Sequence, residues 1–360
     1  MAAFSQSPYS KRFTPIAALL VVLIAFYLTR KAEKPPPSPD TVTTVPAGPG
    51  EYLFCSWNVE NLFDDVHDQR NSIDAPYDSW FASKPDDLNL KLSHLADAMV
   101  RLNGGKGPDI LCAVEVESKR AADLLAEALN KKLPEGASPY TTVVMEEVVT
   151  GRHIGPAIIS RLPLSSRGKP RLFAPHRILR ASLEAGGAEL VIFATHWTSR
   201  RSDDTGGQRA KYANRIYGSC NEVYHANPKA DIVVCGDFND QPDDPAVRDT
   251  LRAGDDLAAV RDANDLKFLN LMAGKDPAKF GTHYYNKPLI YDHICVSPGL
   301  LDNQGWSADI GSIQSVTQGL AKSGSTVRPW RFGNEKDTFS RGFSDHFPVA
   351  VKLKVNAPPP

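Results

Sequence analysis

Two rhythms of apolar residues organise the chain after residue 50. Short runs, continuously apolar or alternating with polar residues, predict strands. These are "YLFCSWNVENLF" from Tyr52, "DILCAVEVE" from Asp109, "TTVVMEEVV" from Thr141, "GPAIISRL" from Gly155, "RILRASLEA" from Arg177, "AELVIFATHW" from Ala188 and "ADIVVCGDFN" from Ala230. "GTHYYNKPLIYDHICVS" reads as two strand pieces, and "FSDHFPVAVKLKV" closes the chain with a strand. Gly186 and Gly187, between two such runs, predict a hairpin. Helical spacing appears in "LKLSHLADAMVRLN", where Leu92, Leu95, Ala96, Met99 and Leu102 lie three or four apart. "SKRAADLLAEALNKKL" is a second helix with Ser118 as its N-cap. "DTGGQRAKYANRIYGSCNEVYHAN" is helical after its glycines, and "DPAVRDTLRA" is a short helix. Many strands with few long helices predict packed sheets covered by helices, not a doubly wound sheet.

The first 50 residues follow neither rhythm. "KRFTPIAALLVVLIAFYLTRK" is an apolar run, Ile16 to Leu28, between basic flanks. As a helix that run would reach about 20 Å, against a hydrocarbon core of about 30 Å; Phe13 to Thr29 comes closer. The pattern is that of a signal peptide or signal-anchor over residues 1–31. The poor cleavage context of "YLTRKAEK" favours an uncleaved anchor. Prolines make residues 32–50 a tether. Residues 51–356 are then one domain, membrane-anchored and extracytoplasmic, or secreted if the segment is cleaved.

Composition adds limits. Lys and Arg number 41 and Asp and Glu 42; beyond residue 50 the balance is 36 against 40. No nucleic-acid footprint shows in those totals, although a groove can be basic while the total is not. Five cysteines without C-x-x-C spacing argue against a disulfide framework or a zinc site, and read as small buried hydrophobes. No obligate protein partner is indicated.

Chemistry-bearing residues gather where strands end. "SWNVEN" carries Asn58 and Glu60, "CAVEVE" Glu115 and Glu117, "ATHWTSR" His196, "CGDFND" Asp237 and Asn239, and "YDHI" Asp292 and His293. "SDHFP", with Asp345 and His346, precedes a strand. Each set alone reads as a turn or a cap. Six sets in one chain, each beside a strand, are harder to read so. Strand alternation puts Asp237 and Asn239 on one face, with Phe238 and Asp240 on the other, and Glu115 beside Glu117. Gly236 would let the backbone pass close to a ligand. Carboxylate oxygens suit magnesium or manganese, and histidines suit acid–base work. No phosphate-cradling loop and no nucleophile elbow is present. The natural chemistry is metal-assisted attack of water on a phosphoester.

In their order, "WNVEN", "DILCAVEVE", "GPAIISRLP", "THWTSR", "GDFND", "YDHICVS" and "SDHFPV" resemble the endonuclease/exonuclease/phosphatase superfamily, the deoxyribonuclease I-like fold, over about residues 51–355. The resemblance implies an α/β, four-layer αββα sandwich with its site at one edge of the paired sheets. It implies that Glu115 is the main metal ligand, with Asn58 holding metal or phosphate and Asp345 as a further metal-binding or histidine-supporting acid. Asp237 would activate the water and Asn239 steady the phosphate. His346, paired with Asp292, would stabilise developing charge, and His196 would protonate the leaving oxygen. Glu117 stays a contender for Glu115, because Val114 stands where many relatives have Gln. Arg152, Arg200, Arg201 and Arg209 could bind a second phosphate, with a solvated basic loop the commoner reading of Arg201, and Tyr284 could stack on a base, although aromatic strand residues are more often simply packed. The implied cofactor is Mg2+ or Mn2+. The substrate is a phosphoester, with nucleic acid first, and a phospholipid or sphingolipid as an alternative that the membrane segment would favour. A non-catalytic binding module is the third reading, disfavoured by the complete acid, amide and histidine set.

Overall fold

In the computed structural model the described residues are 47, 48, 50–70, 73–325, 327–337 and 341–356. The proposed anchor at residues 1–31 and nearly all of the linker lie outside them. Among the described residues no helix is long and apolar enough to cross a membrane.

The strands are β1 (Glu51–Leu62), β2 (Ile110–Val116), β3 (Thr142–Val144), β4 (Gly155–Ser160), β5 (Arg171–Leu172), β6 (Ile178–Ala185), β7 (Ala188–His196), β8 (Asp231–Asp237), β9 (Ala253–Gly254), β10 (Phe268–Asn270), β11 (His283–Tyr285), β12 (Lys287–Leu289), β13 (Asp292–Val296), β14 (Trp306–Ser315) and β15 (Val349–Val355). One sheet has the order β14-β15-β1-β2-β4-β3, and a second β5-β6-β7-β8-β13-β10-β9. A small hairpin joins β11 to β12. The longer helices are α1 (Ala75–Ser83), α2 (Pro85–Val100), α3 (Lys119–Lys132) and α4 (Gly207–Ala226).

Strand alternation decides the layers. In β1, Phe54 points inward and packs with Ile110, Ile192 and Val233 between the sheets. Leu53, Cys55 and Trp57 point outward and pack against Leu92, Leu95 and Met99 of α2 and Leu125 of α3. On the second sheet Phe193, Ile232 and Val234 face Tyr212, Ile216 and Cys220 of α4. The result is helix, sheet, sheet, helix, as expected. Each fully buried Leu, Ile or Val contributes about 1.5–3 kcal/mol by leaving water. All five thiols are buried and unpaired.

Several sequence expectations shift. Helix α2 starts at Pro85, five residues before the segment "LKLSHLADAMVRLN", because proline suits a first turn and Asp86 and Asp87 favour a helix N-terminus. Ser118 caps α3 as expected, accepting from Ala121 N–H at 3.0 Å. Residues 246–250 form a single widened turn, not a regular helix. Strand β14 was not foreseen. It lies at a sheet edge, and most of its residues are exposed or half-buried, so no apolar alternation marks it.

Asp231, at the start of β8, accepts from Trp306 N–H at 2.9 Å and so ties the second sheet to β14. Its other oxygen is buried without a partner among the described residues. Burial pushes this carboxyl up to about 7 from 3.8. The folded state therefore keeps the proton longer than the unfolded chain. The resulting cost is absent below pH 3.8, grows as pH rises toward 7, and is complete above it. Asp231→Asn is expected to raise the Tm at pH 8 by several degrees and to change it little at pH 4. An equal shift at both pH values in thermal melts would contradict this account.

Candidate active site

Topology brings the polar strand ends to one edge. β1 and β2 run parallel in one sheet, and β7 and β8 run parallel in the other. Their C-terminal ends meet where Asn58 of β1 reaches Asp237 of β8. β13 and β15 run antiparallel to these neighbours, so it is their beginnings that arrive there. Asp292 pairs in register with Asp237, which pairs with His196. Ser344, two residues before His346, donates its hydroxyl to the Asn58 carbonyl at 2.5 Å.

Local backbone then aims the side chains. The β1–β2 register slips after Asn58, and Glu60, Asn61 and Glu115 all take left-handed φ values of 54°, 51° and 66°. A bulge of this kind redirects side chains that a regular strand would send elsewhere. Glu115 accordingly swings onto Asn58. Its Oε1 accepts from Asn58 Nδ2 at 3.1 Å, and its Oε2 from Asn61 N–H at 2.9 Å. Glu117 turns away and is buried against Arg70. The expected shared face of the two glutamates is broken by the bulge, and Glu115 alone joins the cluster.

The same correction applies to "GDFND". Strand β8 ends at Asp237, and Asn239 has a left-handed φ of 51°. The two side chains meet through a turn, not through strand alternation. Asn239 donates its N–H to Asp237 Oδ1 at 2.8 Å and its Nδ2 to Asp237 Oδ2 at 3.2 Å. Phe238 does face the core, stacked on Trp197 at 4.4 Å. Asp240 is held by Arg200 and Arg209 behind the site. Gly236 is required by chain packing. A Cβ there would lie 1.9 Å from the Thr195 carbonyl oxygen of β7.

Asp237 sits at the centre, 1% exposed. Its Oδ2 accepts from Asn58 Nδ2 at 3.0 Å and lies 3.7 Å from Nε2 of both His196 and His346. Burial raises its carboxyl above the ordinary range; the nearby His346 charge opposes this. His346 is paired through Nδ1 with Asp292 Oδ2 at 2.7 Å. Burial would lower the His346 pKa, but Asp292 and Asp237 outweigh it and hold the ring charged. His196 goes the other way. Burial, with Arg177, Arg152 and His346 nearby, holds it well below its ordinary value.

Asp345 is half-buried on the cleft wall, and its carbonyl oxygen lies 3.0 Å from His283 Nδ1. Burial raises its carboxyl, yet His346, His283, Arg331 and Lys91 together hold it below the usual range. It shares no hydrogen bond with Glu115 or Asp237 among the described residues.

A cleft of about 1800 Å³ opens above this floor. Arg152 and Arg200 line it as expected, but each already has acid partners, Asp74 for one and Asp240 and Asp244 for the other. Tyr284 lines it too, under the Arg328 guanidinium. Arg209 does not. It is 3% exposed, bonded to Asp240 and Asp203, and its role is to brace the turn after Asp237.

Sequence reasoning missed two contributors, Arg177 and His283, and gave no role to a third that it had singled out, Glu60. Arg177 lines the cleft, and its carbonyl accepts from His196 N–H at 3.1 Å. An arginine at a strand start reads as solvated, so nothing singled it out. His283 packs on His346 at 4.5 Å between ring centres, and burial pulls its pKa down to about 4. It was hidden in "GTHYYNK" as one strand residue among aromatics. Glu60 is buried beneath the site and takes bonds from Arg331 and from the Phe332 N–H, pinning the 330s loop to the β1 bulge.

Caenorhabditis elegans TDP2 in truncated form superposes with a TM-score of 0.50 at 16% identity, covering 85% of this chain and 98% of that one. A double mutant of Staphylococcus aureus beta toxin with bound magnesium ions superposes with a TM-score of 0.50 at 15% identity, covering 85% and 100%. At such identities these likenesses show the fold. No curated protein matches the chain in sequence. The sequence pattern of the Endonuclease/Exonuclease/phosphatase family, however, matches residues 53–355, which contain every strand end described above. The chain therefore belongs to the Endonuclease/Exonuclease/phosphatase family of phosphoester hydrolases.

Proposed function

We propose that the chain is a divalent-metal-dependent phosphodiesterase, in the first instance a nuclease, in which Asp237 takes the proton of the attacking water. One observation carries the reading. The buried Asn58 amide is shared by the carboxylates of Glu115 and Asp237, and neither acid has a Lys or Arg partner among the described residues. Two such carboxylates call for a counter-charge. An oxygen donor set suits magnesium or manganese, so the residues fit a hard divalent ion, held at Glu115 with Asn58 orienting the carboxylate. A bound ion would supply neutralisation of charge on the non-bridging phosphate oxygens.

The chain's own groups do the rest. The water oxygen bonds to phosphorus as the P–O bond to the leaving group breaks. Asp237 accepts the water proton, and the leaving oxygen recovers one from solvent. His346, kept charged by Asp292, stabilises the charge that develops on the phosphate. A neutral His196 is a poor proton donor, so its role becomes hydrogen bonding to a phosphate oxygen, in place of the acid role expected for it.

The test is to give the full chain plasmid DNA, RNA, sphingomyelin and bis(p-nitrophenyl) phosphate with magnesium or manganese. Nucleic-acid cleavage that a chelator stops and magnesium restores is the expected result. Activity surviving in both Asp237→Ala and His346→Ala would sink the mechanism. Hydrolysis of sphingomyelin alone would favour the lipid reading, and no hydrolysis of any substrate the binding-module reading.

A further inference from the structure

Beyond residue 50 the acids outnumber the bases, 40 against 36. The cleft inverts this: nine Lys and Arg line it against four Asp and Glu. Arg152, Arg200 and Arg331 have acid partners. Arg177, Arg201, Lys287, Lys322, Arg328 and Lys336 make no ion pair among the described residues. Arg177 has only long contacts to neutral oxygens, the Tyr212 hydroxyl and the Trp197 carbonyl, both at 3.4 Å. Concentrating unpaired positive charge around an anion-cleaving floor opposes folding through self-repulsion, so its placement points to an anionic ligand larger than one phosphate.

These cations stand on two walls. Arg177 and Arg201 belong to the wall that carries His196, through the His196 N–H bond to the Arg177 carbonyl and the loop that follows His196. Lys287 sits on the β11–β12 hairpin, which joins the other wall through the His283–His346 bridge and the Phe347 N–H bond to the Thr282 carbonyl. Arg328 lies over the Tyr284 ring of that hairpin at 5.6 Å, and the Lys322 N–H bonds to the Arg328 carbonyl. Asp237 lies between the two walls, equally distant from His196 and His346. At the hairpin tip Tyr285 is 71% exposed, although it lines the cleft.

We infer that the substrate is a single-stranded nucleic acid that crosses the cleft, with non-scissile phosphates on Arg177 and Arg201 at one side and on Lys322 and Arg328 at the other, and a base stacked on Tyr285. Cations on both sides suit a scissile bond inside a chain rather than a terminal monoester. An open tyrosine suits an unpaired base, because the faces of a paired one are covered by its neighbours in the duplex. The inference rests on the phosphodiesterase reading and adds the substrate class to it.

Two measurements on the full chain test it. The first is binding of a fluorescent single-stranded oligonucleotide in chelator, followed by anisotropy across a salt series. The slope of log affinity against log salt is expected to fall by about 0.7 for each phosphate contact removed, in Arg177→Gln and in Arg328→Gln. The second is turnover. kcat/KM on the strand should fall at least tenfold more than on bis(p-nitrophenyl) phosphate in either variant. Tyr285→Ala should weaken single-strand binding about tenfold and duplex binding less. Binding without hydrolysis would overturn the phosphodiesterase reading and leave the strand site standing. Hydrolysis of the small diester with no strand binding, or equal losses on both substrates, would overturn the strand site alone.

Discussion

Asp237→Asn is expected to lower kcat/KM by about 10³-fold while leaving the far-ultraviolet circular dichroism spectrum unchanged. Position explains the size of the loss. Asp237 closes a central strand, is almost wholly buried, and its Oδ2 meets the Asn58 amide and both histidines. Asparagine keeps the volume and one acceptor but cannot take a proton from water. It also sets a third amide beside those of Asn58 and Asn239, and the loss should appear in kcat with KM little changed. Because burial raises the Asp237 carboxyl, the wild-type rate should climb with pH at higher pH than an ordinary carboxylate would give. That limb should be missing in the variant. A loss below tenfold, or a variant that recovers at high pH, would remove Asp237 from the role of base.

Gly236→Ala is expected to cost about 4 kcal/mol or more, which puts it among the few single substitutions that threaten a fold. The φ of +133° disfavours any side chain, and the added Cβ would lie 1.9 Å from the Thr195 carbonyl oxygen, inside bonding contact of a neighbouring strand. β7 and β8 would have to separate, and Asp237 is the next residue. At roughly 2–4 °C per kcal/mol the Tm should fall by about 10 °C or more, with activity lost as well. Gly218→Ala is the control. It lies inside α4 with nothing within 4 Å of its added Cβ, and alanine there should stabilise by about 0.5–1 kcal/mol. Similar melting temperatures for the two variants in parallel scans would refute the packing argument.

Much of the fold was legible because period-two apolar runs survive burial on both faces of a sheet. β2, β7 and β8 lie within the runs that predicted them, and β1 begins one residue before its run. β14 was not legible, since an exposed edge strand has no core face to write an alternation into the sequence. At the site, residue types were legible and directions were not. Asn61 and Asn239 belong to a residue type that tolerates a left-handed backbone, but Glu60 and Glu115 do not, so nothing marked the bulges that aim Glu115 inward and Glu117 away. Strand parity assumed an unbroken strand and so could not choose between the two glutamates. Arg209 misled for a related reason. Its charge suggested a ligand, whereas Asp203 and Asp240, distant in the chain from one another, already pair with its guanidinium.

The Asn58 amide has a consequence for how the enzyme should respond to mechanical change. Asn58 and Glu115 ride on one sheet, Asp237 and His196 on the other, and the Asn58 side chain bonds across the seam. Any slide of one sheet over the other separates the proposed catalytic groups before it unfolds anything. Ile192 and Val233 set that spacing from the interior. Trimming either should loosen the registration of the two halves, so that turnover reports slippage between the sheets well before the melting temperature does.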